Sequence, residues 1–189
     1  MVRAGYEITA GEARAAGVHV TFSPMADLVR DARWGRCLES TGEDSWLNCQ
    51  FAAAMVKGFQ GDNLAGGKGI ASCVKHFAAY GAVEGGREYN TVDMSEWRLR
   101  QEYLPSYKAA VEAGCEMVMT SFNTIQGIPA TGSKWLMDQV LRQEWGFDGV
   151  VITDYAAIQE LIAHGVAEDA GEAAFLAMEA GVDIDMKTS

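Results

Sequence analysis

The stretch GVVITDYAAI (Gly149–Ile158) runs apolar and then stops at an aspartate, Asp154, before a segment of helix-forming residues. A strand that is apolar on both sides of its pleat is covered on both faces, which is the habit of parallel sheets packed between helices. The rest of the chain repeats the theme. Apolar runs at VHVTFSP (Val18–Pro24), GIASCVKHF (Gly69–Phe77), CEMVMTSF (Cys115–Phe122) and VDIDM (Val182–Met186) read as further strands. Between them lie amphipathic segments with helix signals: Asp44 or Ser45, Ser95 and Ser133 as N-caps, and Gly17, Gly61, Gly114 and Gly146 as stops. Pro24 is expected to end the first strand, and Pro105 to kink or divide the helix that Ser95 opens.

This alternation predicts parallel β/α units, arranged as a doubly wound sheet or as a barrel. Polar residues gather just past the strand ends, at SPMADLVRDARWGR, KHFAAYG, SFNTIQG and TDYAA. Four strands delivering polar groups to one face is the layout of a barrel active site. No glycine-rich phosphate loop follows a strand, as a nucleotide site at a switch point requires. The expected fold is therefore an α/β, TIM-type (β/α)8 barrel of parallel strands. About five strands are counted where eight are needed, so residues 1–189 are expected to form one partial catalytic barrel domain.

Composition limits the partners. The 189 residues carry 26 acidic and 15 basic side chains, a formal net charge of −11. Mean hydropathy is −0.04 and the pI is about 4.6. Such a field repels nucleic acid and anionic membranes, and a neutral ligand is compatible with it. No run reaches the ~20 apolar residues of a membrane span. The four cysteines (Cys37, Cys49, Cys73, Cys115) form no C-x-x-C pair and the three histidines are scattered. They are expected to be free, buried or half-buried thiols, with no metal site and no disulfide framework. The compartment, cytoplasmic or periplasmic/exported, is left open.

Three places invite chemistry. Asp154 either caps the following helix or sits where a barrel keeps catalytic carboxylates, as nucleophile or base. Lys75 and His76 end a strand, and period-2 alternation is expected to put them on opposite sides. The loop with Asp27, Arg30, Asp31, Arg33 and Arg36 reads as solvated surface when taken alone. Trp34 within it offers an aromatic face of the kind that stacks on a sugar, and arginine offers a fork of donors to hydroxyls.

The stretches RDARWGRCLESTGED (Arg30–Asp44), CVKHFAAYGAVEGGREYNTVDMS (Cys73–Ser95) and GFDGVVITDYAAI (Gly146–Ile158) resemble the N-terminal barrel of glycoside hydrolase family 3, its bacterial β-glucosidase branch above all. The similarity runs in order from Val2 to Met186. It implies a retaining β-glycosidase, acting without metal or organic cofactor on a β-glucoside or short β-linked oligosaccharide. It also implies Asp154 as the nucleophile and Arg36, Lys75 and His76 as sugar contacts. Met119, Ser121 and Phe122 are implied at the same pocket more weakly.

The chain departs from the family pattern at Ala32, where proline is usual, and at Phe122, where some relatives have tyrosine. The family's first barrel strand, with an aspartate for distal hydroxyls, and the acid/base glutamate of its C-terminal α/β sandwich are expected to lie outside these residues. The stretch KHFAAYG lacks the second histidine of the family's N-acetylglucosaminidases, which favours the glucosidase or xylosidase side. Two alternatives accompany this reading. One is a non-catalytic sugar-binding relative, or a barrel piece completed by another chain or a homo-oligomer. The other is a lyase or aldolase with Lys75 as a Schiff base.

Overall fold

In the computed structural model, which describes residues 1–187, the chain runs α1 (Val2–Ala15), β1 (Val20–Thr21), α2 (Ser45–Gln60), β2 (Ala71–Phe77), β3 (Thr91–Val92), α3 (Glu96–Arg98), α4 (Pro105–Glu112), β4 (Met117–Thr120), β5 (Thr124–Ile125), β6 (Ile128–Pro129), β7 (Val150–Ile152), α5 (Ala157–Ala163) and α6 (Ala170–Ala180). Two π-helical segments, Leu99–Tyr103 and Trp135–Glu144, and short 3-10 turns such as Cys37–Glu39 join these helices. Strands β1, β2, β4 and β7 are parallel neighbours in that order. Their order in space is their order in the chain. A doubly wound sheet would reverse direction at a switch point, whereas a β/α barrel adds each strand beside the last. The sheet is an arc of such a barrel.

The fifth expected strand, Val182–Met186, is reduced to a single parallel bridge between Ile152 and Ile184. It still continues the arc, because Thr153 N–H donates to the Ile184 carbonyl and the amides of Asp183 and Ile184 donate to Val151. At the other end, Pro24 does not stop the first strand. Its carbonyl accepts from Lys75 N–H, and pairing runs on through Met25 and Ala26 to Lys75. Proline removes a donor only, and at a strand with a single neighbour that donor is not needed.

Alternation along the strands separates two layers. Val74, Val118 and Val151 face the helices, in one core with Val56, Leu99, Tyr107, Leu136, Met137 and Val140. Cys73, Met119 and Ile152 face the other way and pack together, toward the barrel axis. Each fully buried Val, Leu or Phe contributes about 1.5–3 kcal/mol, so the helix-side layer dominates stability.

Helix starts follow the sequence. Asp44 accepts from Leu47 N–H, Ser95 from Arg98 N–H and Ser133 from Leu136 N–H. Pro105 divides its helix as expected and opens α4 at the first position, where no amide donor is required. The segment Trp135–Glu144 is wider than the expected α-helix, with Trp145 N–H donating to Val140. Side-chain periodicity does not separate the two helix types. The polar stretch SFNTIQG also holds more order than expected. Gln126 and Gly127, both at positive φ (53° and 82°), turn a two-residue hairpin between β5 and β6. With β3 it forms a small second sheet above the strand ends.

Candidate active site

Asp154 lies two residues beyond Ile152 and so inherits the axis-facing side of β7. It does not cap α5. The cap position is Ala156, at φ 57° and without a side-chain cap bond. One Asp154 oxygen, Oδ1, accepts from Tyr155 N–H at 2.7 Å. The other, Oδ2, is buried without a hydrogen-bond partner among the described residues and faces His76 Nε2 at 3.5 Å. A carboxylate oxygen left unbonded inside a protein is costly as a structural device. It is what an attacking group needs.

Lys75 and His76 do not separate to opposite sides as alternation predicts. The register of β2 against β4 shifts between Val74 and Phe77, which breaks the period of two where the polar residues begin. Lys75 Nζ lies 3.9 Å from Glu39 Oε2, and the buried His76 reaches Asp154. Burial pushes the Cys73 thiol up; the neighbouring Cys115 adds to the rise, Lys75 opposes it and Asp154 reinforces it. The lysine and the aspartate thus act on one sulfur from the axis side.

The loop after β1 is not uniformly solvated. Asp31 and Arg33 pair at its exposed rim. Asp27 is fully buried and accepts four bonds: from His76 N–H and His76 Nδ1 on Oδ2, at 3.0 and 2.8 Å, and from Tyr80 N–H and the Tyr107 hydroxyl on Oδ1, at 3.1 and 2.6 Å. Arg36 grips Glu39 through two parallel bonds of 2.7 and 2.8 Å. That grip holds the Arg36 cation above its ordinary range against a burial penalty, with Asp27 and Asp154 adding to it. Arg36 in turn keeps the Glu39 carboxyl low, and the charges of Lys75 and His76 act in the same direction. Three carboxylates, Asp27, Glu39 and Asp154, therefore share one end of the sheet with Arg36, Lys75 and His76.

Trp34 is not open to a ligand. It is 1% exposed and packs edge-on against Tyr80 at 5.3 Å. Gly81 makes this packing feasible, since a Cβ there would lie 2.4 Å from the Leu28 carbonyl of the first loop. Met119 sits in the axis layer with Cys73 and Ile152. Ser121 is buried and donates to the Ala78 carbonyl at 3.3 Å. Phe122 bridges the rings of Tyr80 and Tyr89, at 5.8 and 4.5 Å. A cleft of about 630 Å³ is lined by other residues, among them Arg3, Glu7, Arg14 and Lys68. Among the described residues, no group of three or more His, Cys, Asp or Glu is placed to hold a metal.

Sequence reasoning missed the positions of Asp27, Glu39 and Tyr107. A signal for the first was available: Asp27 follows VTFSPMA as Asp154 follows VVIT, a carboxylate at the end of an apolar strand. Glu39 stands three residues beyond Arg36, a helical spacing that lets the pair meet.

A parallel β/α arc with a carboxylate and cationic donors at its strand ends belongs to the class of β/α barrels, whose enzymes build their sites at that C-terminal face. The family model Glycosyl hydrolase family 3 N terminal domain matches residues 2–189, and the chain belongs to that family. It is 49% identical over 185 residues to the periplasmic beta-glucosidase of Salmonella typhimurium, covering 98% of this chain and 24% of that protein. A putative beta-xylosidase of Formosa agariphila is 41% identical over 185 residues, at 96% and 24% coverage. The crystal structure of beta-glucosidase from Listeria innocua superposes with a TM-score of 0.97 and 58% identity, over 99% of this chain and 26% of that one. That enzyme has also been solved with glucose and, as a mutant, with laminaribiose. The chain thus spans about a quarter of the length of the relatives it matches.

Proposed function

We propose that this chain carries the nucleophile and part of the sugar pocket of a retaining β-glycosidase that removes terminal non-reducing β-D-glucosyl residues. The observation that carries this reading is the unbonded Oδ2 of Asp154, held at the end of β7 beside His76. The Asp154 carboxylate attacks C1 of the sugar on the face opposite the leaving oxygen. The C1–O bond breaks as an acid delivers a proton to that oxygen, leaving a glycosyl ester on Asp154. Water, deprotonated by the same acid/base group, then attacks C1 and releases the carboxylate. Lys75, His76 and Arg36 supply hydrogen bonds to hydroxyls of the bound sugar. The charges of Lys75 and Arg36 also offset the desolvation of Asp154 in the closed pocket.

The second group of a retaining pair stands ~5–5.5 Å from the nucleophile. We assign it to chain outside residues 1–189, in keeping with relatives four times longer. Glucose is favoured over xylose by the glucosidase relatives at 49% and 58% identity, against 41% for the xylosidase, and by the glucose and laminaribiose bound to the Listeria enzyme.

Azide rescue tests the role of Asp154. In the full-length protein, Asp154→Ala is expected to lose turnover of an aryl β-glucoside and to regain it with added azide. The product is then the α-glucosyl azide, since azide enters from the face the carboxylate vacated. Rescue with a β-product, or full activity without azide, would contradict the assignment.

A further inference from the structure

Behind His76, on the side away from Asp154, lies a carboxylate that the proposed chemistry does not use. We propose that Asp27 is a positioning residue that fixes the Nδ1 proton and the ring plane of His76, so that Nε2 is the atom presented to Asp154 and to the sugar.

Asp27 is 0% exposed, and it joins three parts of the chain: the end of the first strand, the end of β2 and helix α4. Each of its oxygens accepts from a backbone N–H that can only donate, His76 N–H on Oδ2 and Tyr80 N–H on Oδ1. Oδ2 also lies 2.8 Å from His76 Nδ1. An oxygen already accepting one bond, on a carboxylate saturated with donors, accepts a hydrogen bond from Nδ1–H rather than donating one. Nδ1 therefore carries hydrogen, and the ring is pinned at two points, its backbone amide and its side-chain nitrogen, by one oxygen.

The other neighbours support the same placement. Tyr80 meets the ring edge-on at 5.3 Å and prevents it from swinging. The Tyr107 hydroxyl, 2.6 Å from Asp27 Oδ1 and 2.8 Å from the His76 carbonyl, ties α4 to both residues. Burial first, and then Asp27, push the Tyr107 hydroxyl up, so it stays a proton donor. Across the ring stands Asp154, just past β7, while Glu39 of the first loop holds Arg36 and lies 3.9 Å from Lys75 of β2. A histidine without Asp27 would be free to present either nitrogen, and its contact with the sugar would lose direction.

This inference rests on the glycosidase reading for its kinetic consequence but not for its structural one, and the two are tested apart. In the full-length protein with ring-15N histidine, long-range 1H–15N NMR reports which ring nitrogen is protonated, and His76→Gln identifies the His76 signals. Nδ1 is expected to be protonated in the wild type; an unprotonated Nδ1 overturns the proposal whatever the enzyme's activity. Asp27→Asn then tests the consequence. Its kcat/KM on an aryl β-glucoside is expected to fall by about 10–100-fold, the worth of one hydrogen bond to a charged group.

Asp27→Asn/His76→Ala is expected to be no slower than His76→Ala alone. The monodeoxy glucoside that His76→Ala ceases to penalise is expected to be the one Asp27→Asn ceases to penalise. Multiplicative losses in the double variant, or intact deoxy-sugar discrimination in Asp27→Asn, would overturn it. If Asp27→Asn does not fold, the wild-type NMR result alone decides. Wild-type protein inert on every β-glucoside would count against the glycosidase reading and leave the Nδ1 result standing.

Discussion

Arg36 and Glu39 meet as a two-point ion pair, Nε to Oε1 at 2.7 Å and Nη2 to Oε2 at 2.8 Å, and Lys75 approaches the same carboxylate at 3.9 Å. One glutamate thus anchors both cations proposed to hold the sugar. The planar guanidinium is required for the two parallel bonds, and lysine cannot reproduce them.

Arg36→Lys in the full-length enzyme is therefore expected to keep the charge and lose the fork. KM for an aryl β-glucoside should rise by roughly tenfold, one hydrogen bond's worth, with a smaller change in kcat. Steady-state kinetics over a range of substrate concentrations separate the two. An unchanged KM would show that Arg36 does not hold the sugar.

Acid titration isolates the rim of the same loop. Side-chain bonds from Arg33, helped by its backbone N–H, lower the Asp31 carboxyl to about 2, against the ordinary ~3.9. A depressed carboxyl stabilises the fold above its unfolded value and ceases to do so as pH falls through the folded one. Its contribution is thus lost between roughly pH 4 and pH 2. NMR titration of Asp31 should give a midpoint near 2 that returns to the ordinary range in Arg33→Gln. The pair is exposed, so the change in stability should be small.

Phe77 is fully buried at the end of β2, with its ring edge-on to Tyr107 and Trp145, each at 5.5 Å. Phe77→Ala should cost about 3–5 kcal/mol in urea unfolding, since the cavity borders the layer that carries most of the core. Leu38→Ala, at a side chain 99% exposed, should change stability by no more than ~0.5 kcal/mol. Equal effects at the two sites would contradict the packing described.

Thiol chemistry reports on the two layers. Burial pushes Cys115 up to about 11 and Cys73 higher, so neither supplies thiolate near neutral pH. At pH 8 a disulfide reagent should leave both untouched in the native protein and modify both once it is unfolded. Rapid native-state labelling of Cys73 would mean that the axis-facing layer opens to solvent.

Much of the fold was legible because it rests on periodicity and punctuation. The apolar runs around Val74, Val118 and Val151 became the strands, and Asp44, Ser95 and Ser133 opened helices where expected. What the sequence hid is local or long-range. A register shift after Val74 brought Lys75 and His76 toward one site. Asp27 was hidden in a charged loop, since its four donors come from residues 49 to 80 positions away. Trp34 read as a ligand surface because a loop tryptophan looks exposed until Tyr80 covers it.

Covalent trapping puts the weight on Asp154 alone. Full-length protein incubated with an activated 2-deoxy-2-fluoro-β-glucoside is expected to gain the mass of one fluoroglucosyl group, on the peptide that contains Asp154, and Asp154→Asn is expected to gain none. A label carried by another residue, or undiminished labelling of Asp154→Asn, would contradict the account.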